Sequence, residues 1–418
     1  MSDDSALEEE SSALRAAHQG QLFHGLGSSP LFAAFATDNM GKTTQSDKTH
    51  QCIDHLHGIT YLPWFTAASE ALSHRSAPAF GVKSVKHHYS SRHLQKLQGE
   101  IMNVLVIPTN REQSIKEFLK AWNSSPAGDW HQIVVVEDNP EKTFDINLAD
   151  HYSWKEIEEE FGDNAWVISR RDSAIRSFGF WKACEMGAEY IFTLDDDCYP
   201  LGLEDEDYFC DRHLQNILKT PKWTELIPLK RTRGLPYYNK GHLENVVANV
   251  GLWCGVPDLD AIETLAKGQV TNYTPPAIDR VVPAGQYFPW CGMNFAFHKD
   301  IAVLTYFPLM GEGSPYRRFD DIWFGVICKR ILDHLGMRVT VGRPWVRHKK
   351  ASDPMVNLVK EAPGVKTNEE FWELIEGLSI SGTTPAMCME EVGDHLSNNK
   401  DDYFKRLGEA ICRWVSMF

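Results

Sequence analysis

No Cys-x-x-Cys pair occurs anywhere in this chain, and its nine cysteines form an odd, scattered set. That spacing supplies neither a zinc ribbon nor a paired disulfide framework, and it fits a reducing compartment. Nowhere do about eighteen apolar residues run together, the length a membrane-spanning helix needs. The opening residues, MSDDSALEEE, lack the basic stretch and apolar stretch of a secretory leader. Basic side chains are also short in supply: 42 Lys and Arg face 57 Asp and Glu, a formal net charge of -15. Such a field repels polyanions, so a nucleic-acid partner is not expected and any anionic ligand has to be held locally. The resulting expectation is a cytoplasmic enzyme with no membrane span.

What is present divides unevenly along the chain. Residues 1–101 hold nine of the 17 histidines and show no sustained hydrophobic period, which reads as a poorly ordered extension. At Met102 the texture changes to NVLVIPTNR, a Val- and Ile-rich run closed by Pro108, followed by a helical pattern from Glu112 to Trp122. Met102 is accordingly also a candidate start of translation. Further apolar runs at 132–136, 166–169 and 190–194 alternate with helical stretches, the longest spanning about 172–187. Alternation of this kind predicts an α/β domain over 102–350, with a mostly parallel sheet whose ligand site lies at the carboxyl ends of its strands. From 351 to 418 the pattern is helical, and Phe404, Leu407, Ile411, Trp414 and Phe418 form one stripe for packing against the domain.

Four constellations carry candidate chemistry. Asp195, Asp196 and Asp197 directly follow the apolar run 190–194. In strand-like backbone Asp195 and Asp197 point to one side, where Mg²⁺ or Mn²⁺ would relieve their repulsion and bridge to a diphosphate. An Asp-rich turn is the plainer explanation of one or two such residues. In RDSAIRSFGFW, Asp172 or Ser173 is a helix N-cap and places Arg176 in the first turn. A cation there opposes the helix dipole unless an anion docks beside it, so Arg176 reads as a diphosphate clamp or as an ordinary exposed arginine. Asp320 and Asp321 head an apolar helix and can supply a general base or stabilise positive charge on a sugar ring; helix capping explains one of them as well. His348 can complete a metal site as a neutral imidazole, whereas a lone histidine is by default a packing residue.

Together these segments resemble the reversibly glycosylated polypeptides of plants, the UDP-arabinopyranose mutase family, which is similar in fold to GT-A glycosyltransferases. The matching stretches are VIPTNR (106–111), RDSAIRSFGF (171–180), YIFTLDDDC (190–198), GLWCGVPDLDA (251–261), FPWCGMNFAF (288–297), LMGEGSPYRRFDDIW (309–323) and HKKASDPMVNL (348–358). The resemblance implies a GT-A-like, Rossmann-like domain that interconverts pyranose and furanose forms of a UDP-sugar, UDP-L-arabinose or a relative. It implies that Thr109, Arg111 and Asp138 line the uridine pocket, with Asp172 nearby, and that Asp195 and Asp196 hold the ribose. A Mn²⁺ or Mg²⁺ ion would then sit on Asp195, Asp197 and His348. It makes Arg176 the site of reversible self-glycosylation, with Asp172 or Asp320 taking up its proton, and sets Asp320 and Asp321 against the sugar. The cysteines flanking that arginine in plant members are Ile175 and Ser177 here, Trp290 replaces a Met and Phe180 a Tyr, which leaves the sugar open. Two other functions stay open: a metal-dependent glycosyltransferase acting on a separate acceptor, and a self-glycosylated scaffold subunit working in a homo- or hetero-oligomer.

Overall fold

The computed structural model describes residues 102–418 apart from 126, 203–208, 224–232, 235–242, 289 and 350–351. The extension 1–101 lies outside the described residues. The chain runs β1 (Asn103–Thr109), α1 (Glu112–Asn123), β2 (Gln132–Glu137), β3 (Asp150–Tyr152), α2 (Trp154–Phe161), α3 (Arg176–Glu185), β4 (Tyr190–Leu194) and β5 (Cys198–Tyr199). It continues through α4 (Phe209–Leu218), β6 (Val246–Gly255), α5 (Ala261–Lys267), β7 (Arg280–Val281), β8 (Asn294–His298), α6 (Asp320–His334) and β9 (Arg338–His348). Four helices close it: α7 (Pro354–Glu361), α8 (Val365–Glu376), α9 (Pro385–Ser397) and α10 (Asp402–Val415).

The strands form one sheet in the order β3-β2-β1-β4-β8-β6-β9-β5, with β7 also on β9. Six of the nine run in one direction, and β8, β5 and β7 oppose them. The expected mostly parallel α/β sheet is therefore present. Strands β1, β2 and β4 are buried on both faces, which explains their unbroken Val, Ile and Phe runs. Two cores lie on opposite faces: Leu105, Ile107, Phe118, Trp122 and Phe192 in one, Val104, Val106, Val136, Phe178 and Phe295 in the other. Among the described residues all cysteines are free, and no helix is long and apolar enough to cross a membrane.

Two local expectations are corrected. The run 166–169 is no strand: Gly162–Val167 is a 3-10 helix, and the neighbour of β2 is the short, polar Asp150–Tyr152. The three aspartates do not continue β4 in extended form. Cys198 N donates to Asp195 O at 3.0 Å, closing a tight turn that spreads the carboxylates instead of aligning two on one side.

Helix α3 lies close on the sheet because Gly179 has no side chain. A Cβ there would run into Val106 Cγ1 and come within 3.0 Å of Val136 Cγ2, both on central strands. Gly179→Ala is expected to cost about 1–3 kcal/mol by overpacking, measured as a lowered midpoint in chemical denaturation. The middle of α3 is tied down by Trp181 Nε1, which donates to Met417 O at 3.2 Å. The C-terminal stripe packs on the domain as expected for Phe404, Leu407, Ile411 and Trp414, with Trp414 Nε1 donating to Val303 O at 2.9 Å, while Phe418 stays half exposed.

Candidate active site

The parallel strands deliver their carboxyl ends to one edge of the sheet. Thr109 ends β1, Asp138 follows β2, and Asp195 follows β4. Antiparallel β8 begins beside the end of β4, with Leu194 opposite Asn294, so Cys291 and Gly292 enter the same edge from the other direction. Strand β9 brings His348 opposite Gly255 of β6 and Cys198 of β5, next to the aspartate turn.

One cluster gathers Thr109, Arg111, Asp196, Asp197 and His348. Thr109 Oγ1 donates to Asp196 Oδ2 at 2.5 Å, and Arg111 donates to both Asp196 oxygens, through Nε to Oδ2 at 3.3 Å. Asp196 is thus occupied with holding Arg111, whose guanidinium also lies 3.5 Å from Asp197. His348 Nδ1 donates to Val256 O at 2.8 Å, which fixes the tautomer and leaves the Nε2 lone pair facing Asp197 Oδ1 at 3.9 Å. Burial, then Asp195, push the Asp197 carboxyl up to about 6. A cation between Asp197 and His348 would reverse that shift, and this donor pair suits one. Asp138 is buried and accepts from Trp154 Nε1 at 2.8 Å and from Arg171 N at 3.0 Å, so it fixes the neighbouring loop as well as facing this edge.

A second cluster surrounds a cavity of about 230 Å³. Asp172, Asp195, Asp258, Asp320 and Asp321 line it together with Ser173, Cys291, Met293 and Met310, and Arg171, Arg317, Arg318 and Lys360 complete it. Asp172 caps the chain entering α3, accepting from Ala174 N at 3.2 Å and from Ser169 Oγ at 2.6 Å. Ser173 Oγ donates to Asp320 Oδ2 at 2.6 Å, and Gly292 N donates to Asp321 Oδ2 at 3.1 Å. Cys291 Sγ donates to Asp258 Oδ2 at 2.9 Å, and donor atoms of Asp258, Cys291 and Asp321 lie within 4.8 Å of one another, a grouping able to hold a metal ion. Asp195, Asp197 and His348 do not close to that spacing, because Asp195 Oδ1 is turned away to Arg176. Asp258 and Cys291 were visible in the sequence only as members of matching stretches, with nothing to mark their chemistry.

Three acids of this cavity are shifted upward. Burial, then Asp320, raise Asp172 well above the carboxylate range; burial raises Asp320; and burial, then Asp320 and Asp258, push Asp321 up to about 8. Burial likewise drives the Cys291 thiol far up, with Asp258 adding to it, so the thiol is a hydrogen-bond donor at neutral pH.

Arg176 is neither exposed nor free to clamp a ligand. It is 1% exposed, and Nε donates to Ser173 O at 3.1 Å while Nη1 donates to Thr193 Oγ1 at 3.1 Å and to Gly292 O. Nη2 donates to Asp195 Oδ1, so Asp195, and neither Asp172 nor Asp320, is the carboxylate bonded to it. Arg171 and Arg318 adopt left-handed backbone, with φ of 64° and 69°. Each such residue costs roughly 1–3 kcal/mol, and both flank this one cavity. A larger groove of about 920 Å³, bordered by Trp154, Trp166 and Arg406, carries four acids, Glu158, Asp163, Glu312 and Asp402, all of them exposed to solvent.

A sequence model described as "Reversibly glycosylated polypeptide" matches residues 99–418. The "Probable UDP-arabinopyranose mutase 1" of Solanum tuberosum is 34% identical over 335 residues, 74% of this chain and 88% of that protein. The "UDP-arabinopyranose mutase 1" of Arabidopsis thaliana is 33% identical over 347 residues, 77% of this chain and 93% of that one. Among solved structures, glucosyl-3-phosphoglycerate synthase from Mycobacterium tuberculosis, in complex with Mn²⁺, UDP and glucosyl-3-phosphoglycerate, overlaps 68% of this chain and 84% of that one. Its TM-score is 0.40 at 13% identity, a loose likeness that carries no argument about chemistry.

Proposed function

Because this chain belongs to the reversibly glycosylated polypeptide family, we propose that it interconverts the pyranose and furanose rings of a UDP-sugar, a UDP-pentose of the arabinose type. The observation that carries the reading is its 34% identity across 88% of a relative named as a UDP-arabinopyranose mutase. The cavity supports it. About 230 Å³ is below the ~300–1,000 Å³ of a site for a larger molecule and suits one sugar ring without an extended acceptor.

In this reading Thr109, Arg111, Asp138 and Asp196 shape the nucleotide side and Asp197 with His348 holds a divalent cation, Mn²⁺ or Mg²⁺. Such a cation would supply charge to the diphosphate as it departs. Asp321, protonated near neutral pH, donates to the ring oxygen that becomes a hydroxyl. Asp320 accepts the proton of the hydroxyl that bonds to C1 and closes the new ring, the diphosphate re-bonds to C1 once the old ring bond has broken, and Asp258 and Cys291 orient Asp321. Asp172 caps the chain entering α3. Arg176 positions Asp195. Self-glycosylation of Arg176 would require Asp195 to take its proton, since the guanidinium is otherwise charged and a poor nucleophile.

The deciding experiment incubates the protein with UDP-arabinopyranose and Mn²⁺ and identifies the products. UDP-arabinofuranose is expected; sugar moved to an added acceptor with no change of ring size would replace this reading with a glycosyltransferase. Excess chelator is expected to abolish turnover. Asp197→Asn should weaken Mn²⁺ binding by about 10- to 100-fold in calorimetric titration, and Asp258→Asn should leave it unchanged. The reverse pattern would move the metal to the Asp258, Cys291 and Asp321 grouping.

A further inference from the structure

Resting on the reading that the diphosphate lies with Arg111, Asp197 and His348, we propose that the cavity mouth is a subsite for a second anion, a carboxylate or phosphate presented beyond the sugar ring and held by Arg171, Arg317, Arg318 and Lys360.

The placement comes from what the cavity shares with the nucleotide side. Asp195 lines it, whereas Thr109, Arg111, Asp138, Asp196, Asp197 and His348 do not. Asp195, next to Asp196 and Asp197 in the chain, therefore stands where the nucleotide side meets the cavity that the four cations line. Of the four, only Arg318 has an acidic partner among the described residues, Glu361 at 2.8 Å. Arg317 Nη2 meets only the carbonyl of Arg171, at 3.3 Å, and the Arg171 guanidinium lies over the Trp154 ring at 4.7 Å. Lys360 stands in the last turn of α7, where a cation is favoured, but that preference does not explain why three others converge on it.

Like charges gathered without counterions are costly unless a ligand supplies the missing charge. Burial, then Arg317 and Arg318, lower the Lys360 ammonium, which records that crowding. The acids below are each engaged inside the protein: Asp195 with Arg176, Asp172 with Ser169, Asp320 with Ser173, Asp321 with Gly292 N and Asp258 with Cys291. The left-handed backbone of Arg171 and Arg318 holds two of the cations in place. A floor of carboxyl groups and a rim of four cations match a ligand with hydroxyls on one part and a negative group on another. A neutral pentose uses only the floor.

Two sources of the anion are separable by titration calorimetry in Mn²⁺. In one arm UDP-galacturonate is compared with UDP-galactose, which differs in lacking the carboxylate. In the other, inorganic phosphate is titrated into protein saturated with UDP-galactose. Wild type is expected to bind UDP-galacturonate at least tenfold more tightly than UDP-galactose if the anion belongs to the sugar, or to bind phosphate at one site if it belongs to a separate acceptor. Arg317→Gln and Lys360→Gln should each remove most of that gain and leave the Kd for UDP within about twofold. Both side chains are at the surface, and thermal unfolding checks that the variants fold. The proposal is overturned if neither anion gains affinity over the neutral sugar, or if both variants weaken UDP itself tenfold, which would give the rim to the diphosphate. Ring isomerisation of UDP-arabinopyranose by wild type is scored separately, so failure of the subsite and failure of the mutase reading give different results.

Discussion

Arg176→Ala is expected to lower stability by roughly 3–5 kcal/mol, the usual cost of removing one partner from a buried, hydrogen-bonded charge pair. The guanidinium serves Ser173 O, Thr193 Oγ1, Gly292 O and Asp195 at once, from a position that is 1% exposed. Alanine leaves these acceptors unmatched and opens a void against Phe307, whose ring lies 5.5 Å from the guanidinium carbon. Arg176→Lys keeps a charge but offers donors at one point, so it should recover only part of the loss. Urea denaturation followed by fluorescence measures both. An alanine variant with an unchanged midpoint would show that this arginine is held for chemistry alone.

Asp321→Asn should reduce isomerisation by about 10²–10⁴-fold, the span of general acid–base catalysis, with little effect on UDP affinity. Asparagine keeps the bond from Gly292 N and removes the transferable proton. The pH profile of the wild type carries the same signature. Since burial and neighbouring acids push Asp321 up to about 8, an acid at this position is competent below that value, and the rate should fall as pH rises through it. The stability effect has a definite sign. Between about 4, where the unfolded carboxyl ionises, and about 8, the folded state binds more protons, so this residue erodes stability as pH rises. The asparagine variant should escape that loss and be no less stable than wild type at neutral pH. A variant retaining a wild-type rate would exclude Asp321 as the acid.

The strands that carry the site were legible because each is buried on both sides. Residues 103–109, 132–137 and 190–194 carry the apolar runs VLVIP, IVVV and YIF, and the helix patterns after 112 and 320 appear in the structure as α1 and α6. Asp150–Tyr152 was illegible because three polar and aromatic residues at a sheet edge carry no apolar run. The DDD segment was found for its composition and misread in its geometry, since a local hydrogen bond decides between a strand and a turn. Burial of Arg176 could not be foreseen, because its partners Thr193, in β4, and Gly292, in the turn before β8, come from distant parts of the chain. The same holds for Asp258, Cys291 and the arginine and lysine rim, which meet only when β6, β8, α6 and α7 converge.

The bond from Trp181 to Met417 has a consequence for how the molecule is made. The helix that begins with Arg176 is tied at Trp181, in its middle, to Met417, 236 positions further along the chain. Synthesis proceeds from the amino terminus at ~5–20 residues per second, so the sheet strands leave the ribosome well before their last support exists. The sheet edge beside this helix therefore acquires its final rigidity late: it has to wait for the segment around Met417 to leave the ribosome and dock.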